Sequence, residues 1–207
     1  MSDPKFSKQL QYLYIAFFIS GFAAILYQLA WQRSLFRIYG INTESVAIIV
    51  ASFMLGLGLG SFCGGWLSSF IQNHLSLIVF AAFEAGIAAF GLFSLALFDW
   101  IGEKTLLLGW PQIALATFLL VLIPTMLMGA TLPILVSYFS RQWKNVELSI
   151  SKLYFINTLG SAFGAYVCVI WFYKYLGLSR TTFLAVGFNL LTVLMILYCQ
   201  FKTKNAG

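Results

Sequence analysis

One acidic residue, Glu84, lies deep inside an apolar stretch of the sequence, with apolar residues for many positions on both sides. An ionised carboxylate at the centre of a membrane helix costs about 2.5–3.5 kcal/mol on insertion scales. Its side chain must therefore be protonated, be paired, or face a polar cavity. Two interpretations are open. Glu84 is a proton-coupling or cation-binding residue, or it is a neutral acid that hydrogen-bonds a neighbouring helix, for instance through Asn157, Tyr154 or a threonine.

Other polar residues lie within apolar stretches or at their ends, where they would contact a small polar substrate. Thr125 and Thr131 flank Pro124 and Gly129, and we expect their hydroxyls to bond carbonyls that a proline kink leaves free. The alternative for each residue is a packing or capping role. The candidate substrate-binding or proton-coupling residues besides Glu84 are Tyr27, Gln28, Thr125, Thr131, Tyr154, Asn157 and Thr158.

Enzyme signatures are absent from the sequence. The three cysteines, Cys63, Cys168 and Cys199, lie inside apolar runs, and the single histidine, His74, lies in a short turn. There is no CxxC pair, no cluster of metal ligands, and no GxSxG, HExxH, phosphate-loop or dinucleotide motif. The sequence therefore predicts no catalytic residue, no metal and no cofactor.

The composition of this chain predicts a protein that is surrounded by membrane lipid. Of 207 residues, 61% are hydrophobic and 9% are charged, against about 25% charged in an ordinary soluble domain. A chain this short cannot bury so much apolar surface in one water-soluble core. The net charge of +6 is spread between apolar blocks without a basic stripe, so we expect contact with membrane lipid and no binding of nucleic acid.

Six stretches are long enough to cross a bilayer as helices, which takes about 20 apolar residues each. The sequence therefore predicts an all-α polytopic bundle, with an N-terminal segment 1–11, a transmembrane domain 12–201 and a C-terminal tail 202–207. Loop cations favour cytoplasmic termini, because that orientation places seven Lys and Arg inside and five outside. The predicted spans are about 12–31, 45–71, 75–100, 111–139, 153–173 and 182–201.

Glycines at four-residue spacing mark two of the spans as close-packing helices. Small residues at this spacing let backbones approach within a membrane. The alternatives are packing between neighbouring spans of one chain, which we favour, and a dimer interface. The residues concerned are Gly56, Gly60, Gly64, Gly160 and Gly164.

The second and fifth spans also share a short string, Leu59-Gly60-Ser61 and Leu159-Gly160-Ser161, at an offset of 100 residues. Two groups of three spans with corresponding glycine-rich middle helices would form the three-plus-three repeat of transporter halves. The alternative is that Leu-Gly-Ser is a common string in membrane helices.

Longer strings resemble a known family, the membrane domain of bacterial fused spermidine-synthase-like proteins, which is similar to half of a major facilitator transporter. Early strings are Ser20–Gln28 with Trp31 and Arg33, and Phe53–Ser61. The later and more specific ones are Pro124–Pro133 (PTMLMGATLP) and Tyr154–Ala165 (YFINTLGSAFGA). The resemblance covers about residues 12–200. It implies a multi-pass protein of the bacterial inner membrane.

Two features of the sequence differ from the family pattern and one matches it. Gln28 stands where the family commonly has an acid, and the neutral segment 68–73 replaces a charged turn. Glu84 matches the acid that the family tends to carry in its third span. The soluble aminopropyltransferase domain that usually follows is not in this chain, so we expect no enzymatic activity.

The resemblance implies transport of a small cationic or zwitterionic metabolite of the polyamine type. Alternating access would take place around a site near Glu84, and a homodimer or a partner membrane protein would complete the pathway. The alternative function is a non-transporting membrane subunit that anchors or stabilises an enzyme or electron-transfer complex. A membrane-embedded enzyme is a third alternative, and it is disfavoured because Glu84 has no visible catalytic partner set.

Overall fold

The chain is almost wholly helical in the computed structural model, which describes residues 4–41, 43–105, 107–143 and 145–204 and has no strand among them. Long helices follow one another through short connections. The α-helices are α1 (Pro4–Tyr39), α2 (Thr43–Phe70), α3 (Asn73–Thr105), α4 (Trp110–Trp143), α5 (Val146–Val167), α6 (Tyr173–Tyr175) and α7 (Gly177–Lys204). A π-helical turn, Cys168–Phe172, joins α5 to α6.

Six segments of the described residues are long and apolar enough to cross a membrane, which confirms the predicted multi-pass helical architecture. Each is longer than, or shifted from, the predicted span. The segments are Leu10–Tyr39, Thr43–Phe70, Asn73–Thr105, Pro111–Gln142, Val146–Tyr175 and Gly177–Phe201.

Local chemistry at the helix ends explains the differences from the predicted bounds. The first helix continues past Trp31 until Gly40, whose φ of 83° ends it and whose N–H donates to the Phe36 carbonyl at 2.9 Å. The fifth helix begins before the predicted residue 153, because the Asn145 side chain caps α5 by accepting a 2.8 Å hydrogen bond from the Leu148 N–H. Gly177, with a φ of 74°, bends the chain where α7 begins.

The helices pack in defined pairs. The most extensive contacts are α2 with α4 and α1 with α5, followed by α1 with α7, α3 with α7 and α3 with α4. Glycines account for the first two pairs. Gly60 on α2 lies against the main chain of Met126, and Gly160 on α5 lies against the main chain of Phe18. Dispersion contacts at such close approach stabilise helix pairs in lipid, where the hydrophobic effect between helices is missing.

Two apolar clusters fill the space between the helices. One surrounds Trp31 and Phe53 and the other surrounds Phe17 and Phe80. α1 contributes to both clusters and is the most buried span, whereas α2 and α5 are the least buried. The bundle therefore has α1 near its centre and leaves α2 and α5 with the largest outward surfaces.

Candidate functional site

A cavity of about 290 Å³ lies among the helices α1, α2, α4 and α5, with Ile87 of α3 and Asn189 of α7 also reaching it. Its lining is partly polar, and none of the residues that line it carries a charge. Such a small concave site with a few polar groups is the usual form of a site for a small molecule. The polar lining residues are Ser20, Gln28, Ser61, Thr131, Tyr154, Asn157, Ser161 and Asn189.

Glu84 is completely buried and lies behind this cavity, not in its wall. The Ser20 hydroxyl donates to Glu84 Oε1 at 2.5 Å, and Asn189 Nδ2 donates to Glu84 Oε2 at 2.6 Å. Both donors line the cavity. The carboxyl group is therefore separated from the cavity by a single layer of polar side chains that bond to it directly.

These partners differ from the expected Asn157, Tyr154 or a threonine. Glu84 lies on α3, which packs against α7, α4 and α1, so α1 and α7 bring the donors. Asn157 and Tyr154 lie on α5 at another wall of the cavity, and Asn157 Nδ2 instead donates to the Phe17 carbonyl at 3.3 Å. A polar side chain can satisfy Glu84 only from a helix close to it, and α5 packs mainly against α1 and α4.

Small residues let the polar wall of α5 approach α1. A Cβ atom added at Gly21 would lie 2.3 Å from the Asn157 carbonyl oxygen, so only glycine fits there. One turn further along α5, the Ser161 hydroxyl donates to the Gly21 carbonyl at 2.9 Å. Close approach of the two backbones thus positions Asn157 and Ser161 at the edge of the cavity.

The structure brings four of the predicted site residues to the cavity, namely Gln28, Thr131, Tyr154 and Asn157. Gln28 and Asn157 are half-buried, Thr131 is buried and Tyr154 is exposed. The Thr131 hydroxyl donates to the Met128 carbonyl at 2.7 Å. Amide and hydroxyl groups of this set can orient a substrate through hydrogen bonds without a fixed charge.

Three other predicted site residues do not line the cavity. Tyr27 is buried in the apolar cluster with its ring centroid 5.0 Å from that of Trp31. Thr125 is buried against Gly56 and bonds to the Val121 carbonyl at 2.6 Å. Thr158 points outward from α5 and is exposed. Helical periodicity explains the last case, because a residue next to Asn157 lies about 100° away around the helix.

Four polar residues of the cavity were not among the predicted site residues: Ser20, Ser61, Ser161 and Asn189. Asn189 could have been recognised from the sequence, because burying an amide deep in an apolar helix costs free energy, as burying the Glu84 carboxyl group does. The serines gave little signal, since a serine in a membrane helix commonly bonds to its own backbone.

The glycines predicted to pack helices lie at two helix crossings within the chain. Cβ atoms added at Gly56, Gly60 or Gly64 would lie within 3 Å of Thr125, Met126 or Ala130 of α4. Gly160 and Gly164 lie equally close to α1. These crossings bring together the helices that form the cavity walls.

Comparison of the chain with protein-family models, with curated proteins and with solved structures finds no match. Among the described residues, no group of three or more His, Cys, Asp or Glu side chains lies together as a metal site would require. The geometry of the cavity and of Glu84 is therefore the basis for a functional interpretation.

Proposed function

We propose that this protein is a membrane transporter for a small cationic or zwitterionic metabolite of the polyamine type, and not an enzyme. One observation carries the proposal. A partly polar cavity lies among the membrane helices, and a fully buried acid lies directly behind two of its polar residues. An acid at this depth is costly and typically marks an ion or substrate pathway.

The charge pattern favours a cation as substrate. The lining offers hydroxyl and amide oxygens and no cationic side chain. Two lining residues, Ser20 and Asn189, donate hydrogen bonds to the Glu84 carboxyl group. A bound ammonium group would compensate this carboxylate inside the low-dielectric interior, where an unpaired charge is most expensive.

Corresponding contacts in the two halves support a three-plus-three repeat with inverted topology. Gly60 of α2 lies against Met126 of α4, and Gly160 of α5 lies against Phe18 of α1. The glycines are 100 residues apart and their partners 108 residues apart, so the two crossings correspond. The same two offsets relate two further pairs of contacts. The contact of Gly64 with Ala130 corresponds to that of Gly164 with Phe22. The contact of Leu57 with Gly129 corresponds to that of Asn157 with Gly21.

Glu84 and Asn189 extend this correspondence to the third helix of each half. They are 105 residues apart and hydrogen-bond to each other where α3 crosses α7. A pseudo-twofold axis between two repeats would pass through such a crossing. Inverted repeats of this kind place their substrate site at the repeat interface, which is where the cavity lies. Such a repeat is what the sequence resemblance to half of a major facilitator transporter implies.

The cavity walls support a homodimer as the working unit. Ser61 of α2 and Tyr154 of α5 line the cavity and are exposed, so the cavity opens between these two least-buried spans. Hydroxyl groups that face lipid find no hydrogen-bond partner there. A second copy facing the same opening would complete a pathway between two six-span units. We further propose a bacterial inner-membrane location with both termini in the cytoplasm, in line with the loop charges.

Uptake of labelled putrescine and spermidine into proteoliposomes tests the proposal. We expect saturable uptake by the wild-type protein that responds to a pH gradient, and its loss in Glu84→Gln. Glu103→Gln is the matched control, because Glu103 is exposed near the end of α3. Uptake in the control should equal that of the wild type.

Wild-type uptake no greater than that of empty liposomes, at matched protein content and with folded protein, would contradict polyamine transport. Purification of a native complex would then test the alternative of a non-transporting membrane subunit. Uptake retained in Glu84→Gln would keep transport but remove Glu84 from the pathway.

A further inference from the structure

Asn189 has one amide atom that the protein does not use. Its Nδ2 donates to Glu84 Oε2 at 2.6 Å, and a 3.5 Å contact joins Nδ2 to the Glu84 carbonyl oxygen. Its Oδ1 is buried without a hydrogen-bond partner among the described residues. Asn189 lines the cavity and Glu84 does not. Because Nδ2 is directed to Glu84, Oδ1 is the amide atom that Glu84 leaves unpaired, and it belongs to a residue that lines the cavity.

The ionisation state of Glu84 determines which amide atom of Asn189 is left for a ligand. An ionised carboxylate only accepts hydrogen bonds, so it requires Nδ2 of Asn189 and leaves Oδ1 for a ligand. An unsatisfied buried carbonyl oxygen is costly. A ligand that donates a hydrogen bond, above all an ammonium group, would satisfy it.

A protonated Glu84 reverses the preference. With its proton on Oε2, the carboxyl group donates to Oδ1 once the amide has turned by half a rotation about its last torsion. That torsion is broad and roughly two-fold, so the two orientations of the amide occupy nearly the same space. Nδ2 is then the amide atom left unpaired, and as a donor it repels an ammonium group. The site also loses its negative charge in this state.

Glu84 is the group whose protonation changes in this exchange, and its neighbours include a phenol, a hydroxyl and an amide. Tyr27 on α1 interacts electrostatically with Glu84. Ser20 from α1 and Asn189 from α7 donate hydrogen bonds to it, and Arg141 of α4 bonds to the carbonyls of Ile71 and Ser68. Tyr27 is a neutral phenol buried in the apolar cluster.

We propose that Asn189 Oδ1 is the subsite for a substrate ammonium group, and that Glu84 and Asn189 together form a switch that holds either a proton on Glu84 or the cation in the cavity. The proposal rests on the transport function proposed above. When the cation binds, the Glu84 carboxylic acid releases its proton to solvent and the Asn189 amide turns. No covalent bond of the ammonium group is broken. The site therefore exchanges one proton for one cation, as an antiporter requires.

Binding to the purified full-length protein tests the exchange, with putrescine as the cationic probe and 1,4-butanediol as its neutral counterpart. We expect putrescine to release about one proton in weakly buffered solution. Its affinity should rise about tenfold per pH unit where Glu84 is protonated in the free protein. Butanediol should release no proton, and Glu84→Gln should abolish the release.

Asn189→Leu removes the amide and keeps the number of side-chain heavy atoms, and Thr192→Val is the matched control one turn further along α7. Thr192 is buried but does not line the cavity. We expect about 10- to 100-fold weaker putrescine binding in Asn189→Leu, as for a lost hydrogen bond to a charged group, and wild-type affinity in the control. Asn189→Ala is the second variant if the leucine protein does not fold.

The outcomes separate this inference from the proposed function. Wild-type putrescine affinity in a folded Asn189 variant would overturn the subsite and leave transport standing. Proton release that persists in Glu84→Gln, or binding without proton release in the wild type, would overturn the exchange. Absence of both binding and uptake in the wild type would overturn the transport proposal itself and this inference with it.

Discussion

Gly60 of α2 lies directly against the main chain of Met126 in α4. A methyl group on Gly60 would come within 2.1 Å of the Met126 carbonyl oxygen and 2.6 Å of its Cα. Both of these atoms belong to the backbone, so no side-chain rotation could relieve the overlap. Two residues away, Gly58 faces open space, with nothing within 4 Å of an added Cβ.

Gly60→Ala should therefore destabilise the bundle, by about 1–3 kcal/mol as for other overpacked sites. Gly58→Ala is the control on the same helix and should be neutral. Thermal unfolding in detergent, followed by circular dichroism, measures both. Equal midpoints for the two variants would mean that α2 and α4 do not approach as closely as described.

Ser94 accepts a hydrogen bond of 3.0 Å from the Trp31 indole N–H, and both residues are fully buried. Ser94→Ala should cost about 0.6–1.7 kcal/mol, because a helix unpacked in the membrane also finds alternative partners for the indole. Ser69→Ala is the control, since Ser69 is exposed and bonds only within its own helix. Equilibrium unfolding in mixed micelles compares the two, and no loss for Ser94→Ala would contradict the interhelical bond.

Asn157 lines the cavity, whereas Thr158 is exposed on the outer face of α5. In a Cys63→Ser background, Asn157→Cys should react faster with a membrane-impermeant cationic thiol reagent than Thr158→Cys. The reason is that the thiolate is the reactive form and forms readily next to water but poorly in lipid. The rates are measured in lipid vesicles by mass spectrometry. A faster reaction at position 158 would place the aqueous path on the other face of α5.

Arg141 of α4 donates to two carbonyl oxygens at the end of α2, those of Ile71 at 2.7 Å and Ser68 at 2.9 Å. A cation at a helix C-terminus contributes about 0.3–1 kcal/mol. Arg141→Lys keeps the charge but lacks the planar fork that reaches both oxygens. We expect about two- to fivefold faster hydrogen exchange in residues 66–75.

The control for this exchange measurement is Arg180→Lys, because Arg180 is exposed on α7. Exchange in residues 66–75 should not change in that variant. The same acceleration in both variants would show that lysine substitution acts on the bundle as a whole and not through the carbonyls of α2.

Much of the architecture was predictable from local sequence. Each span could be recognised because the bilayer requires about 20 apolar residues in one helix, a property of contiguous residues. The helix ends were less predictable, because they depend on single residues such as Gly40 and Asn145 and not on hydropathy. Glu84 could be singled out for a similar reason, since an acid is conspicuous against its own apolar neighbours.

The composition of the candidate site was decided by tertiary structure. Ser20 and Asn189 are 64 and 105 residues from Glu84, and only the packing of α1 and α7 on α3 makes them its partners. Thr158 was expected at the site and faces outward, whereas Asn157 beside it lines the cavity. The sequence by itself determined that the chain forms membrane helices and that one acid among them is unusual. Which side chains surround that acid depended on helix rotation and crossing, which close contacts between glycines and distant backbones define.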